Sequence, residues 1–340
     1  MMANNIAEAK AWGDGCAPLV SVCVVAFNHS NYIRQCIDGV LMQKVDFGIE
    51  ILVHDDASTD GTAQILQEYE RRLPSTIKVF YETENQYGKG TYKGGYRRGL
   101  LEPASRGKYI AVIEGDDYWC APNKLAKQVG YLEEHDDVVL SCHAASVVDG
   151  VSGRRIGAMG MGSDDKNLIP KEIIRNWAVP TASWVYRKGS LDSYNDWSFD
   201  KPVGDFPFVL YSSTVGRVHY FHDQMSVYRY QVPGSWTSGL KDISKAYDNA
   251  WRWITMYESI DKVTAGHYHD DLIDAALPKL RMALVVSDMN RRSSFAVEAK
   301  NRLSLSDRMK IHSKRLLRFF GLDVMRSGYS SNSRRRIVRI

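Results

Sequence analysis

Lys108-Tyr109-Ile110-Ala111-Val112-Ile113-Glu114-Gly115-Asp116-Asp117-Tyr118-Trp119 is a run of apolar, β-favouring residues broken off by three carboxylates. Pro122 then opens a helix that carries Leu125, Val129 and Leu132 on one face. The pattern predicts a buried strand that delivers Glu114, Asp116 and Asp117 to an acidic turn. Carboxylates this close repel one another unless a cation, solvent or shifted pKa values intervene. Two readings stand: a divalent-metal site at the carboxyl end of a strand, or a solvated acidic turn.

Upstream, the same unit recurs. Val20 to Phe27 predicts a strand, Asn28-His29-Ser30-Asn31 offers helix-capping side chains, and Ile33, Ile37, Val40 and Leu41 predict a helix with one inward face. Ile49 to His54 predicts a second strand, which ends at Asp55-Asp56-Ala57-Ser58-Thr59-Asp60-Gly61-Thr62. A helix with Ile65, Leu66 and Tyr69 inward follows it, and Ile77 to Tyr81 is a third strand. The glycine-rich stretch from Asn85 to Gly99 reads as a connecting loop or a substrate-covering loop. After the Pro122 helix, Val138 to Cys142 is the fifth strand. This alternation predicts an α/β fold, a mostly parallel sheet with helices on both faces, whose ligands bind at the carboxyl ends of the strands.

Two phosphate-binding classes are disfavoured. The chain has no G-x-x-x-x-G-K-[ST], and its first strand runs into Ala26-Phe27-Asn28-His29 rather than G-x-G-x-x-G. Beyond Gly150 the alternation fades. Ile173 to Trp177 predicts the end of a short helix, Thr181 to Arg187 a strand, Asp205 a single acid heading an apolar run, and Arg217 to Tyr230 further strand. From about Lys241 the pattern is helical, and Pro278 predicts a kink or a fresh start within Leu272 to Met289.

The 340 residues suffice for one large domain with an appendage; 44% are hydrophobic and 25% charged, as in a soluble globular protein. Cys16, Cys23, Cys36, Cys120 and Cys142 show no CxxC spacing, so free thiols in a reducing compartment are expected. The first residues lack a basic opening and an apolar core, and no segment reaches the roughly 18 to 20 apolar residues of a membrane span. The expected location is cytoplasmic. The net charge of +4 is unevenly spread: Arg291 to Ile340 carries fourteen Lys and Arg against three Asp and Glu, which leaves the preceding residues at −7. Leu305, Met309, His312, Leu316 and Phe320 recur at helical spacing with Arg308, Lys314, Arg315 and Arg318 on other faces. That helix suits either an anionic membrane surface or docking on the body. No nucleic-acid-binding module is present, and none is expected as a partner.

Five motifs in order resemble the family-2 inverting glycosyltransferases, enzymes of the A-type glycosyltransferase fold. They are Val20-Ser21-Val22-Cys23-Val24-Val25-Ala26-Phe27-Asn28, the Asp55 to Thr62 segment, Ile113-Glu114-Gly115-Asp116-Asp117-Tyr118-Trp119, Gly204-Asp205-Phe206-Pro207 and Met225-Ser226-Val227-Tyr228-Arg229. The resemblance covers about residues 18 to 238, after a leader of residues 1–17 and before a basic, helical extension of residues 239–340. It implies a donor-nucleoside pocket lined by Ala26, Phe27 and Asn28, with Asp56 or Asp55 on the base. It also implies Mn²⁺ or Mg²⁺ held by Asp116 with Glu114 and Asp117 beside it, and a nucleotide-diphosphate sugar, expected to be a UDP-sugar, as donor. Glu114 stands where the family usually has aspartate, and Gln231 where it often has histidine.

Asp205 is the candidate general base toward the acceptor hydroxyl, its alternative being a helix N-cap. Arg229 is a candidate for the donor diphosphate or for a structural ion pair, and Trp236 for acceptor stacking or the core. His143, His219 and His222 read as interior or edge residues rather than ligands. The function implied is transfer of a sugar to a glycan or lipid-linked acceptor in bacterial surface-polysaccharide synthesis. The alternatives are a sugar-nucleotidyltransferase and a non-catalytic nucleotide-sugar or membrane-surface binding protein.

Overall fold

The computed structural model describes residues 17–92, 94–235, 238, 243–286 and 293–319. Strand β1 (Val20–Ala26) leads through helix α1 (Ile33–Leu41) to β2 (Ile49–Asp55), and α2 (Thr62–Arg72) leads on to β3 (Ile77–Tyr81). A π-helical turn at Arg97–Leu101 and the short α3 (Glu102–Ala104) precede β4 (Tyr109–Glu114) and the two-residue β5 (Tyr118–Trp119). Helix α4 (Lys124–Glu134) is followed by β6 (Val138–Asp149), β7 (Arg155–Met159), β8 (Lys166–Leu168), α5 (Pro170–Asn176) and β9 (Val185–Arg187). Helix α6 (Asp205–Val215) feeds the long β10 (Arg217–Tyr230), and α7 (Ile243–Val263), α8 (His269–Val286), α9 (Ser294–Asn301) and α10 (Leu305–Phe319) close the described chain.

The main path of the ten-stranded sheet runs β3-β2-β1-β4-β9-β6-β10-β5. β3, β2, β1 and β4 are parallel, as the alternation predicts. Beyond β4 the sheet is mixed: β9 runs against both β4 and β6, while β6 and β10 are parallel to each other. The β6–β7 pair is antiparallel, and its short connection needs no crossover helix. Period-two alternation splits the strands between two cores. Val20, Val22, Val24, Ala26, Tyr109, Ala111 and Ile113 face α1, α2 and α4, whereas Cys23, Ile110 and Val112 face the opposite layer. Burial of these side chains is the main stabilising term, at about 25 cal/mol per Å² of apolar surface.

The connection from β1 crosses to β2 on one side, while β4 lies on the other. The carboxyl ends of β1 and β4 therefore flank a topological switch point, where open α/β sheets leave a crevice. α1 seats closely beside it, because a Cβ on Gly39 would come 2.8 Å from the Trp119 carbonyl oxygen.

Several local expectations are corrected. Asn28 to Asn31 do not cap α1: the N-cap is Tyr32, with no side-chain capping bond. Only Val185–Arg187 of the predicted 181–187 strand is a strand, because Thr181–Ser183 forms a 3₁₀ turn. Pro278 does not interrupt α8, which runs unbroken across it. The C-terminal helices share a core with the body, where Phe206 meets the rings of Trp253 and Tyr257 at 5.7 Å. In α10, Ile311 is buried while Leu305 and Met309 are exposed; the Leu316 side chain and all of Phe320 lie outside the described residues. Among the described residues Cys23, Cys36, Cys120 and Cys142 are free thiols, and no helix is long and apolar enough to cross a membrane.

Candidate active site

The turns after β1 and β2 are laced together by residues whose types suggest helix capping. The Asn28 amide donates to Ser58 Oγ (2.9 Å), Asn28 Oδ1 accepts from the Thr59 amide (2.8 Å), and the His29 amide donates to Thr62 Oγ1 (2.8 Å). Asn28 adopts φ +54°, a left-handed conformation that asparagine tolerates better than most residues. Ala26 is buried and accepts the Asp56 amide at 3.0 Å, while Phe27 is left exposed at the rim. Asp55 is buried and accepts the Ser58 hydroxyl (2.5 Å); burial raises its pKa and that bond opposes the shift. Asp56, also buried, accepts the Gln86 amide on Oδ1 (2.7 Å) and the Tyr96 hydroxyl on Oδ2 (2.8 Å). The glycine-rich segment is thus tied to Asp56 through Gln86 and Tyr96.

Glu114, Asp116 and Asp117 lie at the carboxyl end of β4, and Asp205 is near enough for its charge to act on Glu114. Burial, then Asp116, then Asp205 push the Glu114 pKa up to about 8. Burial, followed by Asp116 and Glu114, holds the Asp117 carboxyl well above its usual range. Asp205 begins α6, with Gly204 as the N-cap, and burial among its apolar neighbours raises its pKa too. The Asp205 Oδ1 accepts the Phe206 amide (2.8 Å), and that bond and the nearby Trp177 side chain oppose the rise in its pKa. Tyr228 on β10 feels all four charges, which raise its phenol pKa after burial does. In the sequence Tyr228 is only a letter of a motif; its alternation along β10 is visible there, but not which residues it faces.

Arg229, buried, braces the acidic turn. Its backbone amide donates to Asp117 Oδ1 (2.8 Å), and its guanidinium donates to the Asp116 carbonyl oxygen and to Gln35 Oε1. The guanidinium carbon also lies 5.0 Å and 4.7 Å from the ring centres of Tyr32 and Tyr118. These contacts commit the side chain to the backbone and to Gln35. The partly exposed Asp116 faces His29, whose Nε2 lies 3.9 Å from Asp116 Oδ2, a neighbour that the sequence suggests for a cap. Burial lowers the His29 pKa against the pull of Asp116. Of the other histidines, His143 is buried, His219 stacks on Tyr131 and His222 pairs with Asp165, and none joins this cluster. Trp236 lies outside the described residues.

The donor set is of hard carboxylate oxygens. Asp117 Oδ2 is buried without a hydrogen-bond partner; burial raises the pKa values of Glu114, Asp117 and Asp205, and neighbouring carboxylates add to the shift for Glu114 and Asp117. Among the described residues no group of three His, Cys, Asp or Glu side chains encloses a metal by itself. The unpartnered Asp117 oxygen beside Asp116 fits a hard cation held through one or two carboxylates and completed by substrate phosphates, as Mg²⁺ commonly is.

Two outcomes follow from this packing. A Cβ on Gly115 would lie 2.7 Å from His29 Nδ1, 3.1 Å from Ile33 Cδ1 and 3.2 Å from Ala26 Cβ. Gly115→Ala should therefore lose about 1–3 kcal/mol of stability by overpacking, read as a lowered melting midpoint. Secondly, the proton held by folded Glu114 would leave the unfolded chain above the ordinary glutamate value of 4.5. Without metal, stability should therefore fall as pH rises from about 4.5 through about 8. Melting curves across that window should show a shallower slope for Glu114→Gln, and a slope as steep as wild type would contradict the assignment.

The family model described as "Glycosyl transferase family 2" matches residues 21–194. An uncharacterised protein of Mycobacterium tuberculosis is 30% identical over 231 residues, which are 67% of this chain and 64% of that one. An Escherichia coli UDP-Glc:alpha-D-GlcNAc-diphosphoundecaprenol beta-1,3-glucosyltransferase is 34% identical over 115 residues, 34% of this chain and 41% of that one. Among solved structures, the mannosyltransferase PcManGT of Pyrobaculum calidifontis, in complex with GDP-Man and Mn²⁺, shares the fold with a TM-score of 0.50 at 16% identity, over 94% of both chains. The order of motifs, the switch-point geometry and the family match agree, and the chain belongs to glycosyl transferase family 2.

Proposed function

We propose that the protein is a metal-dependent, inverting glycosyltransferase that moves a sugar from a nucleotide-diphosphate donor, expected to be a UDP-sugar, onto a glycan or lipid-linked acceptor in bacterial surface-polysaccharide synthesis. The observation that supports this is the acidic turn at the carboxyl end of β4, with the charge of Asp205 acting on Glu114 and all four carboxylates acting on Tyr228. The nucleoside would lie along Ala26, Phe27 and Asn28, with its base toward Asp56 and the diphosphate toward Asp116. A bound Mn²⁺ or Mg²⁺ would act there as a Lewis acid on the departing diphosphate. Asp116 is the carboxylate open enough to hold it, Glu114 and Asp117 stand behind, and Arg229 fixes the turn that presents all three.

Asp205 takes the proton from the acceptor hydroxyl as that oxygen bonds the anomeric carbon and the bond to the diphosphate breaks. A base on the side away from the leaving group gives inversion. The E. coli relative, named for a UDP-glucose donor and a diphospholipid acceptor, and PcManGT, solved with GDP-Man and Mn²⁺, support the donor class, the acceptor class and the metal. Exposed Leu305 and Met309 beside Lys310 on α10 suit an anionic membrane surface, where such an acceptor would lie. The turn Ala26-Phe27-Asn28-His29 has none of the glycines that a nucleotidyltransferase would use to cradle a triphosphate.

Incubation of the purified protein with a panel of nucleotide sugars and acceptors, with and without Mn²⁺, tests the reading. Metal-dependent release of nucleoside diphosphate, with sugar appearing on an acceptor, is expected. Binding of nucleotide sugars with no turnover across the panel would favour the non-catalytic alternative.

A further inference from the structure

His29 is fastened from both sides. Its amide donates to Thr62 Oγ1 (2.8 Å), and its carbonyl oxygen accepts the amides of Tyr32 and Ile33, both at 2.8 Å, where α1 begins. The flanking amides are tied as well, Asn28 to Ser58 Oγ and Ser30 to Asp60 Oδ2, each at 2.9 Å. The imidazole stands edge-on to the Tyr32 ring and beside Gly115, where a Cβ would lie 2.7 Å from Nδ1. The glycine of the acidic turn therefore leaves the space that this ring fills.

The two ring nitrogens differ. Nδ1 is buried with no hydrogen-bond partner, in the pocket that also holds Ile33 Cδ1 and Ala26 Cβ. Nε2 faces Asp116 Oδ2 at 3.9 Å. An imidazole carries at least one N–H, and a buried N–H without an acceptor is costly, so the proton belongs on Nε2. There it makes His29 a hydrogen-bond donor rather than a ligand. The gap to Oδ2 is about 1 Å longer than an N–H···O bond. The His29 backbone is anchored and the Asp116 carbonyl oxygen is held by Arg229, so the partly exposed Asp116 carboxylate is the group that can close the gap by turning.

We propose that His29 is a positioning residue for Asp116, its Nε2–H donating to Oδ2 and so fixing the orientation in which that carboxylate meets the cation. The inference rests on the reading of Asp116 as the carboxylate that holds the metal, and it adds a residue that lies just outside the five motifs. Hydrogen bonds of this outer kind typically contribute about 10- to 100-fold in metal affinity.

Mn²⁺ titration of the full chain, followed by the electron spin resonance of the free ion with UDP or GDP in excess, tests it. His29→Phe, which fills the ring space without an N–H, should weaken Mn²⁺ binding by about 10- to 100-fold, with nucleotide binding in EDTA kept within about twofold of wild type. His29→Gln, which restores an N–H donor, should recover most of that loss. Unchanged Mn²⁺ affinity in a folded His29→Phe would overturn the inference. So would an equal fall in metal-free nucleotide binding, which would mark a merely structural role. Whether or not that variant folds, a directly bonded imidazole nitrogen in the spin-echo spectrum of the wild-type Mn²⁺ complex would make His29 a ligand and overturn its positioning role. Any of these results leaves the metal reading standing, whereas a wild type that binds no Mn²⁺ removes that reading and this inference with it.

Discussion

Asp205→Asn should lower sugar transfer by about 10²- to 10⁴-fold while leaving the affinity for nucleoside diphosphate within about twofold of wild type, the range spanned by loss of a general base. The amide keeps the shape of the side chain and can still accept the Phe206 amide, so α6 should start as before. What is lost is the lone pair that takes the acceptor proton. Burial raises the Asp205 pKa, so the wild-type rate should fall on the acid side at a pH above the ordinary carboxylate value of 3.8. A folded Asp205→Asn enzyme that retains near-full transfer at neutral pH would remove Asp205 from the mechanism. A loss confined to KM would reassign it to acceptor binding.

Asp116→Ala should abolish the Mn²⁺-dependent part of nucleoside-diphosphate binding and reduce transfer by about 10³-fold or more, because charge on the leaving diphosphate would go uncompensated. The fold should survive. Asp116 is only partly buried, and its backbone carbonyl, which holds the Arg229 guanidinium, is unchanged by the substitution. The contrast with Asp117 is informative: its Oδ1 receives the Arg229 amide inside the protein, so Asp117→Ala should lower stability as well as activity. Equal Mn²⁺ dependence in wild type and Asp116→Ala would show that the cation, if used, sits elsewhere.

These expectations depend on residues of unequal legibility in the sequence. The run Tyr109 to Glu114 can be read as a buried strand closing in acid because its alternation and its abrupt polar end are local properties. The inward faces of α1, α2 and α4 are readable for the same reason: three- and four-residue spacing of apolar side chains decides which side of a helix leaves water. Asn28, His29, Ser30 and Asn31 mislead, since residues able to cap a helix can equally tie two loops together. With the β2 turn alongside, its Ser58, Thr59 and Thr62 are the partners instead. Pro278, which reads as a kink or a fresh start, lies inside α8, so no new helix starts there. Arg229 looks available to a phosphate, and only its packing between Tyr32 and Tyr118 shows its donors already committed.

By itself, the sequence determined the alternating α/β architecture, the strand that carries Glu114 and Asp116 to its end, and the five ordered motifs that mark the family. Those depend on hydrophobic period and local turn chemistry, which are written along the chain. The tertiary structure alone decided that the charge of Asp205 reaches Glu114, that Tyr228 lies within the field of all four carboxylates, that His29 flanks Asp116 and that Tyr96 bonds to Asp56. Such meetings turn on strand order and on register, and β10 pairs with β6 through bulges that shift that register between Phe221 and Ser226. A one-residue slip would turn every later side chain to the other face, and no local pattern fixes where the slip occurs.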